Sequence, residues 1–220
     1  LQAQINPHFL FNTINTIASL IRTDPNRARE LLREFAVFYR STLEDSDDLI
    51  SLERELQQVE RYFSFEVARF GEERLRLEVE VDPEVSRLFV PSFMVQPLVE
   101  NAVKHAMRAE GTLVVRIAGM VEGDNIVIRV IDDGVGMDEE TLANMMHKES
   151  DTGLGIAVKN VQDRIRNYFG PDSRMEVESE LGGGTSVTFT LDREAALHAY
   201  RESEKLQESS VPNIPQAVVS

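Results

Sequence analysis

Residues 126–137 read IVIRVIDDGVGM, an apolar run that ends in two aspartates and two glycines. The run predicts a strand over 125–131, which pairs with a strand over 112–121 through the turn Glu122-Gly123-Asp124. A carboxylate at a strand end can accept a hydrogen bond from an exocyclic amine, and glycines let the backbone close around a ligand. Asp132, Gly134 and Gly136 are therefore candidate binding residues, although a plain glycine turn would have the same sequence.

The segments on both sides of this hairpin predict an α+β domain. Alternating apolar residues predict strands over 74–82, 174–180 and 185–191, and a short strand within 88–94. Helical patterns cover 96–107, 139–146 and 155–169. This order is typical of a mainly antiparallel sheet with helices on one face. Residues 193–207 predict a charged, exposed helix, and residues 209–220 a loose tail.

Upstream of this domain, residues 1–70 contain no glycine and are rich in helix formers. The spacing predicts one apolar stripe, formed by Leu10, Ile14, Ile17 and Ile21. His8 and Asn12 lie two residues out of phase with the stripe, about 200° around the helix, so we expect them to face outward. Pro7 either bends a continuous helix beside His8 or occupies the first position of a helix capped by Asn6.

Two more amphipathic helices follow. The second starts at Asp24-Pro25, and its stripe is Ala28, Leu32, Phe35 and Tyr39. The third follows an N-cap at Ser51 and ends at Gly71, and its stripe is Leu52, Leu56, Val59, Phe63, Val67 and Phe70. Because three wide apolar faces need partners, we expect a helical bundle that a second copy of the chain completes.

The composition excludes several classes of protein. A net charge of −15 argues against a general nucleic-acid binder, which needs a basic face. The absence of cysteine excludes a disulfide framework, a thiolate nucleophile and a cysteine zinc site. No apolar run reaches the roughly 18 residues that span a bilayer. Since the chain starts at Leu1 in helix-like sequence, we expect a fragment whose membrane contact, if any, lies in an absent upstream segment.

Two further clusters contain groups that suit a phosphate ligand and its metal. Asn101, Lys104 and His105 have spacings that place them on one helix face, where an amide oxygen can bind magnesium and an ammonium can meet phosphate. An ordinary solvated face would have the same residues. Thr152-Gly153-Leu154-Gly155 leads into a helix, whose first amides suit phosphate, but it matches neither the dinucleotide fingerprint nor the P-loop.

The order of these clusters, followed by Gly182-Gly183-Gly184-Thr185, resembles the nucleotide-binding domain shared by gyrase-type ATPases, Hsp90, MutL-like proteins and histidine kinases. The resemblance implies a two-layer α/β sandwich with a mixed, mainly antiparallel sheet that binds ATP and Mg²⁺. It implies that Asn101 holds magnesium, that Lys104 and His105 contact phosphate, and that Asp132 recognises adenine. The remaining pocket residues that it implies are Gly134, Gly136, Met137, Thr152, Gly153, Leu154, Gly155 and Thr185.

Four segments narrow the resemblance to the LytS-type sensor histidine kinases: NPHFLFN at 6–12, Arg61-Tyr62 with Arg69-Phe70, QPLVEN at 96–101, and Lys159-Asn160-Val161. The similarity extends over residues 1–191. It implies autophosphorylation of His8 and transfer of the phosphoryl group to an aspartate of a response-regulator receiver domain. It also implies a homodimer formed by the helical region, in the cytoplasmic part of a bacterial inner-membrane sensor.

The implied organisation is a helical dimerisation and phosphoacceptor region over 1–71, an ATP-binding domain over 72–192, and a C-terminal helix and tail over 193–220. Two positions depart from the wider families. Pro97 stands where gyrase-type ATPases carry a glutamate base, which argues against a hydrolysing ATPase, and Phe9 stands where many histidine kinases carry an acid.

The general base is therefore unassigned. Glu100 is a candidate on chemistry, with pairing to Lys104 as the alternative, and Asn12 can orient the His8 ring or a water. Two other functions compete with the kinase. One is a catalytically silent nucleotide-binding dimer that signals by conformation. The other is an anti-sigma-type serine kinase, which the helical front with its Pro-His motif disfavours.

Overall fold

The computed structural model describes the backbone of residues 7–44, 49–147 and 153–199, with side chains except those of 41–44, 145–147 and 153–160. The described residues begin with two long helices, followed by a short strand and a third helix. In chain order the elements are α1 Pro7–Thr23, α2 Pro25–Glu44, β1 Leu49–Ser51, α3 Leu52–Phe70, β2 Leu75–Val81, α4 Pro83–Ser86, β3 Phe89–Pro91, α5 Gln96–Asn101, a π turn Ala102–Ala106, β4 Leu113–Glu122, β5 Asn125–Asp132, α6 Glu139–His147, α7 Gly153–Phe169, β6 Arg174–Glu180 and β7 Gly184–Asp192.

Five strands form a mixed sheet in the order β2-β4-β5-β7-β6. The β2–β4 pair is parallel and the other three pairs are antiparallel, which confirms the predicted α+β class and its mainly antiparallel sheet. Separately, β1 pairs antiparallel with β3, and Ile50 lies opposite Val90. This second ribbon ties the segment before α3 to the segment before α5.

The two faces of the large sheet differ in polarity, as alternation along the strands requires. Val115 and Ile117 of β4 and Ile128 of β5 point into the core and are fully buried. On the other face Arg116 of β4 forms an ion pair with Glu78 of β2, at 2.7 Å. The burial of one face fixes the register of each strand, because a slip by one residue would bury the charged side chains.

The apolar face of α1 matches the predicted stripe only in part. Phe9, Thr13 and Ile17 are buried, and Ile17 belongs to the stripe, whereas Ile14 is 47% exposed and Ile21 is 59% exposed. The prediction was wrong at Ile14 and Ile21 because α1 carries apolar residues on two faces, and spacing alone does not tell which face the same chain covers. His8 is exposed, as predicted.

The predicted apolar stripe is buried only in part on α2, whereas on α3 all of it is buried or packs against the core. On α2, Ala28, Leu31 and Phe38 are buried, but Leu32 of the predicted stripe is 55% exposed. On α3 the predicted core residues Leu52, Leu56, Val59 and Phe63 are buried, and Val67 and Phe70 pack against the core. Its ends are also confirmed: Ser51 Oγ accepts a hydrogen bond from the Arg54 N–H, and Gly71 donates to the Val67 carbonyl with a φ of 100°.

An aromatic cluster joins the three helices at the start of α1. The Phe9 ring lies 5.6 Å from Phe38 of α2, 5.1 Å from Tyr62 and 5.9 Å from Phe65, both of α3. Aromatic pairs at such distances add stability beyond their buried area. The residue next to His8 is thus the anchor that holds the first turn of α1 on the other two helices.

α3 belongs to both halves of the molecule. One side of it packs against α1 and α2, and it also contacts α5 and β2. The buried apolar residues of the helices and of the sheet form a single cluster. The domain boundary at residue 71 stays a prediction, because this packing describes a shared core rather than a division of the chain.

The chain continues into a helical turn over 193–199. Its predicted exposure is wrong at Ala196, which is fully buried, and Ala195, Leu197 and Ala199 pack against the core. Residues 200–220 lie outside the described part of the chain. Among the described helices, none has both the length and the apolar character that crossing a membrane requires.

We expect Phe9→Ala to lower the free energy of unfolding by about 3 kcal/mol, because it removes a buried ring that contacts two other helices. Phe9→Leu, which keeps most of the apolar volume, should cost under about 1.5 kcal/mol. Urea unfolding measures both values. Equal values for the two variants would contradict the packing described here.

Candidate functional site

The helix that carries the first candidate cluster is shorter than predicted. The α-helix expected over 96–107 ends at Asn101, and Ala102–Ala106 form a π turn. A π turn has i→i+5 hydrogen bonds, so side chains beyond Asn101 depart from α-helical angles. Lys104 and His105 are exposed and Asn101 is half-buried. Single π turns inside helices are frequent at functional sites.

The Asn101 side chain is oriented by its own helix. Its Nδ2 donates to the Pro97 carbonyl at 2.7 Å. With the amide nitrogen engaged, Oδ1 is the atom that can enter the shell of a hard cation such as magnesium. The described residues include no group of three His, Cys, Asp or Glu side chains that could hold a metal by themselves. A magnesium ion would thus need phosphate oxygens and water as further ligands.

Lys104 and His105 are adjacent positive or potentially positive groups. Partial burial and the neighbouring Lys104 charge lower the pKa of His105 below its ordinary value. His105 is therefore mostly neutral near pH 7, and Lys104 carries the positive charge of this turn. The pair fits an anionic ligand, with the lysine as the charge and the histidine as a hydrogen-bonding group.

Glu100 is held by Gln96, whose Nε2 donates to Oε1 at 2.8 Å. This corrects the alternative that it pairs with Lys104. Burial raises the pKa of Glu100, the Gln96 hydrogen bond opposes the rise, and the charge of Glu66 adds to it. Glu66 of α3 also has a raised pKa from burial, opposed by Arg69, whose guanidinium lies 3.3 Å away. The pKa values of Glu66 on α3 and Glu100 on α5 are therefore both raised, and the charge of Glu66 contributes to the rise at Glu100.

The turn after β5 is built around Asp132. This carboxyl is 8% exposed, and its Oδ1 accepts a hydrogen bond from the Gly134 N–H at 3.0 Å. Burial raises the pKa of Asp132, while the backbone amides of Gly134 and Thr185 oppose the rise. The next aspartate has a structural role, since Asp133 Oδ1 accepts from the Val114 N–H at 2.8 Å. Only Asp132 is thus arranged as an acceptor at the buried strand end.

The glycines of this turn are needed because other backbone segments touch them. A Cβ at Gly134 would overlap the carbonyl of Ala106 in the π turn, and a Cβ at Gly136 would overlap the carbonyl of Glu180. Gly136 also has a φ of 61°, which disfavours other residues. The turn is therefore pressed between the π turn and the β6–β7 hairpin.

Hydrogen bonds fasten the same three segments. The Val135 N–H donates to the Ala106 carbonyl at 2.9 Å, and the Gly182 N–H donates to the Val135 carbonyl at 2.7 Å. These bonds hold the end of the π turn that follows Asn101, the Asp132 turn and the glycine hairpin next to one another.

Two side chains of this site have no distinguishing signal in the sequence. Arg108 donates to the Gly134 carbonyl at 3.1 Å and to the Gly182 carbonyl at 2.8 Å. Ser179 Oγ accepts from the Met137 N–H at 2.9 Å and lies 2.9 Å from Thr185 Oγ1. Both are polar residues beside glycine turns, and nothing in their spacing distinguishes them from other surface residues. Met137 and Thr185 are predicted site residues, and Ser179 connects them.

The last cluster begins α7. This helix starts at Gly153, two residues before the predicted Gly155, so Gly153, Leu154 and Gly155 form its first turn. Thr152 lies outside the described residues, as do the side chains of Lys159 and Asn160. α7 packs against α5 and α6. Its first amides have no partner within the helix, which suits an anion.

His8 lies outside this cluster, on the exposed side of α1. Asn12, one turn later, places its Nδ2 3.1 Å from His8 Nδ1. The two side chains are therefore in contact, and the role of Asn12 in orienting the imidazole ring or a water stays a prediction. Its neighbour Phe9 is fixed in the aromatic cluster. The ring therefore projects from a rigid first turn.

The sheet, the Asp132 turn and the glycine-flanked helix define the nucleotide-binding domain of the histidine kinase and gyrase type. A family model described as histidine kinase-, DNA gyrase B-, and HSP90-like ATPase matches residues 91–195, and one described as histidine kinase matches residues 1–75. The chain belongs to the histidine kinase family.

Sequence relatives narrow the family assignment to proteins of the LytS type. The chain is 39% identical over 88% of its length to the sensor protein LytS of Bacillus cereus, and 38% identical over 84% to the sensor histidine kinase/phosphatase LytS of Staphylococcus aureus strain MRSA252. It covers 33% and 32% of these proteins, so it spans about a third of the length of the curated relatives it matches. These matches confirm the predicted LytS-type resemblance.

The fold has a counterpart among solved structures. The histidine kinase domain of the blue-light activated histidine kinase of Erythrobacter litoralis EL346 aligns with a TM-score of 0.50. The sequence identity is 16%, and the alignment covers 84% of each chain. This likeness supports the architecture of helices followed by an α/β sandwich.

We expect Gly136→Ala to weaken ATP binding, because the added Cβ must displace the Glu180 carbonyl from the turn. Gly123→Ala is the matched control, since Gly123 has a φ of 62° but a Cβ added there would meet no atom within 4 Å. Both should lose about 1–2 kcal/mol of stability from backbone strain, and Gly136→Ala about 1–3 kcal/mol more from the overlap. Urea unfolding and calorimetric titration with ATP measure these effects. Equal losses in the two variants would contradict the packed turn.

Proposed function

We propose that the chain is the kinase region of a sensor that phosphorylates His8 with ATP and passes the phosphoryl group to an aspartate of a response regulator. The observation that carries this proposal is an exposed histidine, in contact with an amide side chain, in the motif NPHFLFN, in the same chain as an ATPase-type site. As the chain is a third of its relatives' length, we propose further that it is the cytoplasmic part of a bacterial inner-membrane sensor.

The site supports a division of labour in binding Mg·ATP. A carboxylate oxygen of Asp132 would accept a hydrogen bond from the adenine amino group at the buried strand end. Asn101 Oδ1 would enter the magnesium shell, and Lys104 with His105 would meet phosphate oxygens. The first amides of α7, at Gly153 and Gly155, would bind phosphate as well. Catalysis then comes mainly from positioning and charge neutralisation, as in other phosphoryl transfers.

His8 attacks through a ring nitrogen whose lone pair is not protonated. In the structure the amide nitrogen of Asn12 faces His8 Nδ1. A rotation of the Asn12 amide that presents its oxygen instead keeps the hydrogen on Nδ1 and leaves Nε2 as the nucleophile. Nε2 bonds to the γ-phosphorus as the bond to the bridging oxygen breaks, and ADP leaves with the electron pair. The Nδ1 hydrogen then departs as a proton, which leaves a neutral phosphohistidine ring.

A carboxylate is the natural acceptor for that proton. Glu100 has a raised pKa, so it binds a proton more strongly than an ordinary glutamate near neutral pH. Glu66 shares this property and lies near enough to Glu100 to raise its pKa. We propose Glu100 as the base. The neighbouring Glu66 favours protonation of Glu100, because its charge raises the pKa of Glu100.

The helical region would form the dimer. Phe11, Ile14, Ile21, Leu32 and Val37 are exposed apolar residues of α1 and α2, and a second copy would bury them. Large exposed apolar side chains that cluster on two packed helices are typical of an interaction surface. The homodimer thus accounts for the apolar residues that α3 leaves uncovered.

For the kinase, incubation with γ-labelled ATP and Mg²⁺ should yield acid-labile, base-stable label on the chain, and His8→Gln should abolish it. His198→Gln is the control, because His198 is an exposed histidine beyond the nucleotide domain. Tight ATP binding without any label would contradict the kinase and favour a silent nucleotide-binding dimer. Acid-stable label on a partner protein would favour a serine kinase.

For the dimer, Ile14→Glu should shift the chain from dimer to monomer, because it places a charge on the exposed apolar surface of α1. Leu181→Glu is the control, since Leu181 is 70% exposed but lies in the β6–β7 hairpin. Light scattering after size exclusion measures the mass of each. A monomeric parent chain, or an Ile14→Glu variant that remains dimeric, would contradict this interface.

A further inference from the structure

One carboxyl group of α3 lies wholly inside the molecule. Glu55 is 0% exposed, and its Oε1 accepts hydrogen bonds from the Val95 N–H at 2.5 Å and the Gln96 N–H at 3.2 Å. These amides stand at the start of α5, where backbone donors have no partner within the helix. Pro97, the next residue, has no N–H to be satisfied. Glu55 therefore caps, from a neighbouring helix, the element that carries Glu100 and Asn101.

Burial of the Glu55 carboxyl group lowers the stability of the fold. Burial raises the pKa of Glu55 to about 7, against the amides of Val95, Gln96 and Met94 and the charge of Arg164. Its Oε2 is buried and has no hydrogen-bond partner among the described residues. Arg164 directs hydrogen bonds to the Ser92 carbonyl and hydroxyl. An apolar residue would continue the stripe of Leu52, Leu56 and Val59 at lower cost, so packing alone does not account for a glutamate here.

The position of Glu55 links two parts of the molecule. α3 receives the Phe9 ring on Tyr62 and Phe65, beside the phosphoacceptor histidine. About two to three turns earlier on the same helix, Glu55 holds the first amides of α5. The six residues from Gln96 to Asn101 form a single short helix, so a change at its first turn displaces its last residue. The helix that supports His8 thus also places the amide proposed to hold magnesium.

We propose that Glu55 is a positioning residue, which couples the placement of α3 to the start of α5 and thereby sets the position of Asn101. This inference rests on the proposed function, because it concerns the binding of Mg·ATP at that site. The residue acts through the acceptor geometry of its carboxyl oxygen. The length of the side chain, which brings an acceptor oxygen from α3 to the two amides, is therefore the property that matters. The charge of the Glu55 carboxyl group is secondary.

The test compares Glu55→Gln, Glu55→Asp and Glu55→Ala with Glu60→Ala, an exposed glutamate of α3 that serves as the control. The probes are the trinitrophenyl analogue of ATP with Mg²⁺, titrated by fluorescence, and hydrogen exchange of the backbone amides of residues 95 and 96, followed by NMR. Glu55→Gln keeps an acceptor of the same reach, so its affinity should stay within about twofold of the parent. Glu55→Asp and Glu55→Ala should bind about tenfold more weakly, because loss of the cap at the start of α5 displaces Asn101.

Hydrogen exchange gives a second readout that needs no nucleotide. The amides of residues 95 and 96 should exchange faster in Glu55→Asp and Glu55→Ala but not in Glu55→Gln or Glu60→Ala. Thermal melts identify a temperature at which each variant is folded. If Glu55→Ala does not fold, the comparison of Glu55→Gln with Glu55→Asp tests the proposal. The proposal is overturned if Glu55→Asp binds the analogue and exchanges its amides as the parent chain does. It is also overturned if Glu55→Gln loses as much affinity as Glu55→Asp.

The outcome is separable from the kinase assay. If the parent chain incorporates no label at His8 while Glu55→Asp exchanges faster at 95–96 and binds the analogue more weakly, the kinase proposal fails and the positioning role stands. If the parent is labelled at His8 but Glu55→Asp behaves as the parent in both readouts, the positioning role fails and the kinase stands.

Discussion

The burial of α3 on two sides is the constraint on which the rest of the structure depends. Its apolar residues contribute to a single core with the sheet, and its aromatic residues receive Phe9 from α1. An amphipathic helix ordinarily has one buried stripe and one solvated face. α3 instead buries the polar residues Glu55, Gln58 and Glu66 together with its apolar stripe. Its burial therefore decides both where α1, the helix with the proposed phosphoacceptor His8, lies and where the proposed nucleotide site begins.

The nucleotide site is held by backbone rather than by side chains. Gly134 lies against Ala106, Gly136 against Glu180 and Gly184 against the carbonyl of Asp132, so three chain segments meet without intervening side chains. Such close approach is possible only for glycine. The short side chains of Asp132 and Asn101, the residues proposed to bind adenine and magnesium, are each held by a hydrogen bond to nearby backbone. The glycines of the family motif thus act as spacers that set the distances between the segments.

Local patterns predicted those parts of the fold in which one face is clearly apolar. The β4–β5 hairpin and the ends of α3 at Ser51 and Gly71 follow from alternation and capping. The buried face of α1 could not be chosen, because Phe9 and Ile14 are both apolar and either face could have met the other two helices. The π turn was also hidden, since Ala102–Ala106 fits an α-helix equally well. Glu55 carried a readable signal, a charge within an apolar stripe, whereas Arg108 carried none.

The β1–β3 ribbon has a consequence for how the molecule folds and comes apart. Leu49 pairs with Pro91 and Ser51 with Phe89, so this small ribbon closes a loop that contains the whole of α3 and β2. Closing a loop of that length has an entropic cost that is recovered only when the enclosed elements pack. The helices and the nucleotide layer are thereby expected to unfold as one cooperative unit, and a signal that loosens one layer changes the local stability of the other.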